Sequence, residues 1–326
     1  MGYTQIFIES IVRDFAQRYD AMRDPVTGIA RRADAGETMI VSKQLEHMMK
    51  EFFNIERPPL EMFTWLDRKN TAGPGATSIT YIQREYFGQA KKIASYADDL
   101  PLVEGIGKSF TNSVEAYGAA FQISINDLQA AAMAGVPISA EKPAAARRVC
   151  DEAIDYLAAF GDPETTKTGF FNNASVPVIT PITGTWSTAT SDQIINDVMK
   201  LWNSIRVATK KVHNATHLLF DETSWGYLDR RTTETDMTIR KYLFANLPGI
   251  QVMDSTERLN LADAAGTGPR IVAYEKNRMA SWIEVPVDFD MRPAQERNLS
   301  YITNCFCKSA GTIIPYPLTI AYMDGC

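Results

Sequence analysis

One stretch near the middle of the chain constrains the fold most, because it has the length, period and end signals of a long helix. Ser139 is a good N-cap, and Pro143 lies in the first turn, where a missing N–H is tolerated. Apolar side chains recur along one stripe: Val149, Ala153, Tyr156, Leu157 and Phe160, widened by Cys150 and Ile154. Gly161 follows the last of them, as a C′ glycine does. We therefore predict a helix about 30 Å long over residues 139–160.

The helix is predicted to run into an abrupt segment, FGDPETTKTGFFNN, over residues 160–173. Its lysine between threonines, paired aromatics and paired amides allow three interpretations: an active-site loop, a ligand-binding turn or a structural joint. The Asp-Pro pair at Asp162 forms a turn that prevents continuation of the helix. Gly169 lets the chain double back, and Phe170 and Phe171 then anchor it in a core or on a neighbouring molecule. We predict a joint between two parts of the fold.

The other elements mix helices and strands without a regular βαβ series, which indicates an α+β fold. Two strands, Thr77–Gly88 and a longer one at Gly107–Ile125, flank a loop and predict a projecting, hairpin-like arm. Further helices are predicted at 42–54, 124–135, 190–209 and within 233–249. Further strands are predicted within 215–221, 249–255 and 270–276, over 280–291, and within 298–323. The central block, 176–270, has its own helices and short strands, which predicts one domain inserted into another.

Composition and charge exclude several classes of function. The formal net charge is −6 and no basic stripe is present, so we expect no tight readout of DNA or RNA, while contact with packed nucleic acid stays open. The four cysteines do not form the framework of a small secreted domain. The N-terminus lacks the apolar core of a signal peptide, and no apolar run reaches membrane-spanning length. These features predict a soluble protein made in a reducing cytoplasm.

Two patterns resemble ligand sites, and a simpler interpretation is favoured for each. The sequence EGIGKSF at Glu104–Phe110 resembles the end of a phosphate-binding loop, but the required upstream glycine is replaced by Leu102 and a strand follows, so we predict an ordinary loop. His213 and His217 would share a metal on a helix, but the preceding helix is predicted to end before them. Paired surface or core histidines are the favoured interpretation.

The remaining candidates also lack the partners that chemistry needs. Cys305 and Cys307 form a C-x-C on one strand face without a second pair, so we predict small buried hydrophobes. The acidic pairs at 98–99 and 221–222 are interpreted as solvated charges, and no Gly-x-Ser-x-Gly occurs. We predict no catalytic, cofactor-binding or metal-binding residues, and a structural or assembly protein. A cytosolic α+β enzyme with an unrecognised site is the alternative from another class.

The order of these elements resembles one known family. The helix AAARRVCDEAIDYLAAFGD running into PETTKTGFFNNASVP is similar to the spine-helix exit of tailed-phage major capsid proteins with the Hong Kong 97-like fold. The matching features are Ala153, Asp155, Gly161, Gly169, Phe170, Phe171, Asn172 and Val176. Segments on either side resemble the encapsulin-like branch of that family, so the resemblance covers residues 81–325. The chain departs from the pattern at Phe170 and Phe171, where aliphatic residues are commoner, and at Ala310, where glycine is frequent.

The resemblance implies a division of the chain into parts. These are an N-terminal arm (1–60), an extended loop region (61–107), a peripheral domain (108–177) with the spine helix 139–160, an axial domain (178–270), and returning strands of the peripheral domain (271–326) whose end re-enters the axial domain. Lys69, Lys91 and Lys92 lie in the extended-loop region, where we expect plain surface lysines rather than covalent cross-links.

The resemblance also implies a function. Family members are major capsid proteins that self-assemble into pentamers and hexamers of an icosahedral viral shell enclosing double-stranded DNA. The expected partners are other copies of the chain, scaffold, portal and decoration proteins, and packaged DNA through non-specific contact, with no membrane and no cofactor. The expected location is the virion, after assembly in the host cytoplasm. The alternative is an encapsulin-type bacterial nanocompartment shell protein, which has the same fold but encloses a cargo enzyme.

Overall fold

A computed structural model describes residues 57–93, 100–134, 141–182, 184–233, 236–263, 266 and 268–326. The chain divides into two compact units, Met1–Pro58 and Pro59–Cys326, and the fold described below is that of the second. The helix predicted at 42–54, the N-cap predicted at Ser139 and the acidic pair at 98–99 lie outside the described residues.

Helices and strands are interspersed, as the α+β prediction requires. The helices are α1 (Met62–Trp65), α2 (Ile125–Ala134), α3 (Glu141–Phe160), α4 (Ser191–Ala208), α5 (Glu222–Leu228) and α6 (Ile239–Asn246), with 3₁₀ turns at Glu257–Leu259 and Pro317–Thr319. The strands are β1 (Asp67–Lys69), β2 (Ser78–Phe87), β3 (Glu104–Ser113), β4 (Glu115–Ser124), β5 (Val178–Ile179), β6 (His217–Phe220), β7 (Val252–Ser255), β8 (Arg270–Tyr274), β9 (Trp282–Glu284), β10 (Val287–Met291), β11 (Gln295–Arg297), β12 (Ser300–Ser309), β13 (Gly311–Ile313) and β14 (Ile320–Asp324).

The predicted hairpin is present, but its second strand is shorter than predicted. Strands β2 and β3 pair in antiparallel register from Ser78–Ser113 to Phe87–Glu104 and form a two-stranded sheet. The prediction of one strand over 107–125 is wrong, because the chain changes sheets at Val114: β3 pairs with β2, whereas β4 pairs with β12. Residues typical of strands occur on both sides of Val114, with Phe110 and Thr111 before it and Tyr117 and Phe121 after it, and they hid this change of partner.

The long helix α3 packs on strands β4, β12 and β13. Its predicted end at Phe160 is confirmed, and Gly161 adopts φ +74°. The buried face of the helix differs from the predicted stripe. Val149 and Tyr156, which were placed in the stripe, are about half exposed, whereas Cys150, Ile154 and Leu157 are buried. Both stripes have helical spacing, and periodicity alone does not show which of two adjacent apolar stripes faces the core.

A five-stranded sheet in the order β5-β14-β8-β6-β7 separates two hydrophobic cores. Alternate residues of its strands enter different cores: Val272 and Tyr274 pack with the long helix and the joint, whereas Ile271 and Ala273 pack with α4 and α6. Side chains on successive strand residues point to opposite faces, so one sheet serves as a wall for both cores.

Three further differences from the sequence prediction come from local signals. Helix α5 was not predicted; it begins at the N-cap Asp221, whose carboxylate accepts a hydrogen bond from the Ser224 N–H at 2.9 Å. The helix predicted within 233–249 begins only after the N-cap Thr238. The strand predicted over 280–291 is two strands, β9 and β10, which belong to different sheets.

Candidate assembly surfaces

The segment after the long helix is a tightly fitted joint. A Cβ atom on Gly161 would lie 2.1 Å from the Lys167 carbonyl oxygen, and one on Gly169 would lie 2.4 Å from the carbonyl carbon of Ala159. The backbone therefore doubles back against its own helix at a distance that side chains would prevent. The Phe170 and Phe171 N–H groups donate to the Ala158 and Ala159 carbonyls at 2.8 and 2.9 Å.

The paired aromatics and amides of the joint are used internally. Phe170 and Phe171 are fully buried in the core beside the long helix, and not on a neighbouring molecule. Asn172 accepts a hydrogen bond from the Gly169 N–H at 2.6 Å and donates to the Phe160 carbonyl at 2.7 Å. This second bond satisfies one of the carbonyls that a helix end leaves without a partner. The residues that made the segment resemble a binding loop thus close the end of the helix.

Lys167, at the tip of the joint, reaches the base of the hairpin. Its ammonium donates to the Ser113 carbonyl at 2.7 Å and lies 3.2 Å from the Glu115 carboxylate. Glu115 also accepts from the Ser113 hydroxyl at 2.9 Å. These hydrogen bonds from Ser113 and Lys167 lower the pKa of Glu115.

The other side of the hairpin base is held by Glu284 and Lys308. Glu284 is fully buried, and its carboxylate accepts from the Thr71 and Ala72 N–H groups at 2.5 and 3.1 Å. Its other oxygen accepts from the Trp282 indole N–H at 2.9 Å. Lys308 donates to the Pro74 carbonyl at 2.8 Å. The chain leading into β2 is therefore fixed by charge-assisted hydrogen bonds on strands β9 and β12.

The segment that precedes the hairpin is fastened to the long helix. Asp155 is fully buried; it accepts from the Met62 N–H at 3.0 Å and pairs with the Arg258 guanidinium. The Trp65 indole N–H donates to Asp254 at 3.3 Å. A carboxylate in this position satisfies a helix N–H and a cation at once, and its burial makes the pair sensitive to loss of either partner.

The hairpin itself exposes apolar side chains on both faces. Residues paired across an antiparallel ladder share a face, so Ile82 and Tyr86 project on one side, and Phe87 and Ile106 on the other. Their exposed fractions are 60, 71, 45 and 59%. Leu102 and Val103, just before β3, are also exposed. Six exposed apolar side chains on this small sheet and the segment before β3 indicate an interaction surface.

The residues that resembled ligand sites occupy ordinary structural positions. Residues 104–110 form the start of strand β3, so the predicted loop is wrong, although the prediction of a strand after the lysine is confirmed. His213 lies 2.6 Å from the Glu275 carboxylate, whereas His217 is buried and hydrogen-bonded to the Thr216 hydroxyl at 2.9 Å. The two histidines thus have different partners. Within the described ranges no group of three His, Cys, Asp or Glu side chains is arranged to hold a metal.

Two predictions about charged residues are wrong. Asp221 is not solvated but fully buried as the N-cap of α5. Lys69 is not a plain surface lysine, because its ammonium lies 3.6 Å from the Trp282 ring centroid and burial lowers its pKa. Lys91 and Lys92 are exposed.

The prediction that Cys305 and Cys307 are small buried side chains is confirmed. Cys305 and Cys307 are buried free thiols on β12, and burial raises the pKa of Cys307 to about 12. Cys150, on the long helix, is likewise a buried free thiol. In the described part of the chain, no helix is both long enough and apolar enough to span a membrane.

Comparison with known proteins gives a consistent result. A family model described as "Major capsid protein" matches residues 88–326. The capsid of Myoviridae phage XM1 has a TM-score of 0.74 at 18% identity, covering 87% of this chain and 98% of that one. Mycobacterium phage Bobi gives 0.62 at 12% identity, covering 90 and 99%, and the capsid of an empty GTA particle gives 0.61 at 12% identity, covering 90 and 97%. No curated protein matches in sequence.

Proposed function

Because the chain belongs to the major capsid protein family, we propose that its copies associate into pentamers and hexamers of an icosahedral shell around double-stranded DNA. The family and the capsid-like fold are those of a shell-forming virion component and not of an enzyme. Scaffold, portal and decoration proteins and packaged DNA are the further partners that we propose, with assembly in the host cytoplasm.

The hairpin β2–β3 is the single observation that best supports assembly. A two-stranded ribbon cannot bury apolar side chains against itself, and this one carries them on both faces. A neighbouring copy of the chain supplies the cover, and repetition of that contact under closed symmetry produces a shell. The energy comes from apolar burial at each contact, about 25 cal/mol per Å².

The finer Hong Kong 97-like organisation is also part of the proposal. The hairpin spans residues 78–113 and so overlaps the proposed extended loop region, 61–107, without ending at its boundary. The long helix is the proposed spine helix. The two hydrophobic cores support a division between a peripheral domain (108–177 with 271–326) and an axial domain (178–270). Pairing of β14 with β5 and β8 supports re-entry of the chain end into the axial domain. Residues 1–60 form the proposed arm.

The test is assembly of the purified chain, supplied with scaffold where needed, viewed by electron microscopy. We expect closed shells from the wild type and their loss in the double variant Ile82→Ser and Ile106→Ser. Val207 on α4 is similarly exposed, so Val207→Ser is the matched control and should assemble normally. If the wild type stays monomeric under all conditions, the proposed function is wrong. If the hairpin variant assembles like the control, the hairpin is not the assembly surface.

A further inference from the structure

On its β3 side the hairpin joins the rest of the fold, which we call the body, through a very short link that we call the crossing. On the β3 side a single residue, Val114, separates a strand of the hairpin from β4, a strand of the body. The Val114 N–H donates to the Thr77 carbonyl at 2.9 Å and closes the base of the hairpin. A one-residue link between two separate sheets is a natural place for a change of angle, since few backbone dihedrals need to move.

Beside this crossing lies a polar cavity of about 290 Å³ between the hairpin base and the joint. Its lining includes Thr111, Asn112 and Ser113 from the hairpin, and Thr166 and Thr168 from the joint. Most of the lining groups are hydroxyls and amides, and Tyr81, Ala310 and Ile314 are its apolar members, so the hairpin and the joint face each other across a mainly polar space. The space is polar and large enough for water, so the hairpin can move toward the joint without losing a packed core.

On the β3 side, Lys167 bridges this space. Its side chain is 11% exposed, and its ammonium contacts the backbone just before Val114 and the carboxylate just after it. One cation thereby holds both sides of the crossing in one relative orientation. Charge-assisted bonds of this kind are about twice as strong as neutral ones.

We propose that Lys167 is a lock that fixes the angle between the hairpin and the body, and that its release from Ser113 and Glu115 lets the hairpin swing about Val114. The proposal rests on the proposed function in one respect: the hairpin angle would set the angle between neighbouring copies and so the curvature of the shell. The lock itself is a property of the single subunit.

The first test is hydrogen exchange at the Val114 amide in unassembled subunits. In Lys167→Met we expect exchange about tenfold to a hundredfold faster than in wild type, because one charge-assisted contact is lost. Lys200→Met is the matched control, since Lys200 also donates to a backbone carbonyl, that of Thr180 at 2.7 Å, but away from the hairpin. Glu115→Gln, which keeps the shape of the side chain, should accelerate exchange less. Equal exchange at Val114 in Lys167→Met, Glu115→Gln and the control overturns the lock.

The second test measures the hairpin angle with spin labels at Glu85→Cys and Asn203→Cys, both exposed positions. The four native cysteines are buried, which favours labelling of the introduced ones. We expect one narrow distance distribution in the wild type and in Lys200→Met, and a broad one in Lys167→Met. An unchanged distribution in Lys167→Met refutes the swing.

Electron microscopy of assembled particles then separates the two proposals. We expect Lys167→Met shells of mixed diameter and Lys200→Met shells of uniform diameter. Uniform Lys167→Met shells, despite a broad subunit distribution, would refute the link to curvature. If the wild type forms no shells at all, the proposed function is wrong. Hydrogen exchange and spin-label distances in the subunit would still show whether Lys167 fixes the hairpin angle.

Discussion

Replacement of Gly169 by alanine adds one methyl group but should destabilise the subunit strongly. The new Cβ would lie 2.4 Å from the backbone C and O of Ala159 and the backbone N of Phe160. These atoms belong to the last turn of the long helix and cannot rotate away as a side chain would. The overlap is relieved only if the joint moves off the helix end.

That movement breaks three hydrogen bonds to the helix end. Phe170 N–H, Phe171 N–H and the Asn172 side chain donate to the carbonyls of Ala158, Ala159 and Phe160 at 2.8, 2.9 and 2.7 Å. At about 1 kcal/mol net for each bond, the loss is about 3 kcal/mol. If the joint stays in place, the overlap is absorbed as strain of about 1–3 kcal/mol, so both routes give a similar expectation.

The assay is urea unfolding of unassembled subunits, because assembly would raise the apparent stability by mass action. Gly226→Ala is the matched control: Gly226 lies inside helix α5, and its added Cβ meets nothing within 4 Å. We expect the control to gain about 0.5–1 kcal/mol from better helix propensity, a change of opposite sign. A Gly169→Ala subunit within about 0.5 kcal/mol of wild type would refute the reasoning.

Two further predictions concern buried ionisable groups. Asp155→Ala removes the partner of Arg258 and the acceptor of the Met62 N–H, so urea unfolding should show a loss of about 3 kcal/mol; Asp155→Asn, which keeps an acceptor, should lose less. If Asp155→Ala lowers the free energy of unfolding no more than Asp155→Asn does, this prediction is wrong. Burial lowers the pKa of His217 to about 4, from 6.5, so the unfolded chain takes up the proton first and stability should fall by up to about 3 kcal/mol between pH 6.5 and 4. In His217→Phe the free energy of unfolding should change less with pH over this range. If it changes as much as in the wild type, His217 is not the group responsible.

The elements with strong local signals were predictable from the sequence. The long helix has a period, a first-turn proline and a terminal glycine, and its end at Phe160 was predicted correctly. The buried strand at His217–Phe220 and the helix at Ser191–Ala208 were likewise predicted from their own residues. In each case the information lies within the element itself.

What could not be predicted depends on residues far apart in the chain. The change of sheets at Val114 is invisible because both of its flanks are good strand sequence, and only the partners β2 and β12 distinguish them. Glu284 and Lys167 have no distinguishing local pattern, yet they fix the hairpin base through residues more than 50 positions away. The sequence shows that Lys167 is flanked by threonines, but it does not show that the lysine contacts Ser113 and Glu115. The joint was recognised because its glycines and proline act locally.

The position of β14 in the five-stranded sheet has a consequence for synthesis. This strand lies between β5 and β8 and carries residues of both cores, yet it is formed by residues 320–324. While the ribosome still holds these residues, the sheet has a gap beside β8, and the parallel partner of β5 does not exist. A nascent chain can therefore form its local helices but cannot close either core. The sheet and both cores therefore close only after residues 320–324 have left the ribosome and can pair with β5 and β8.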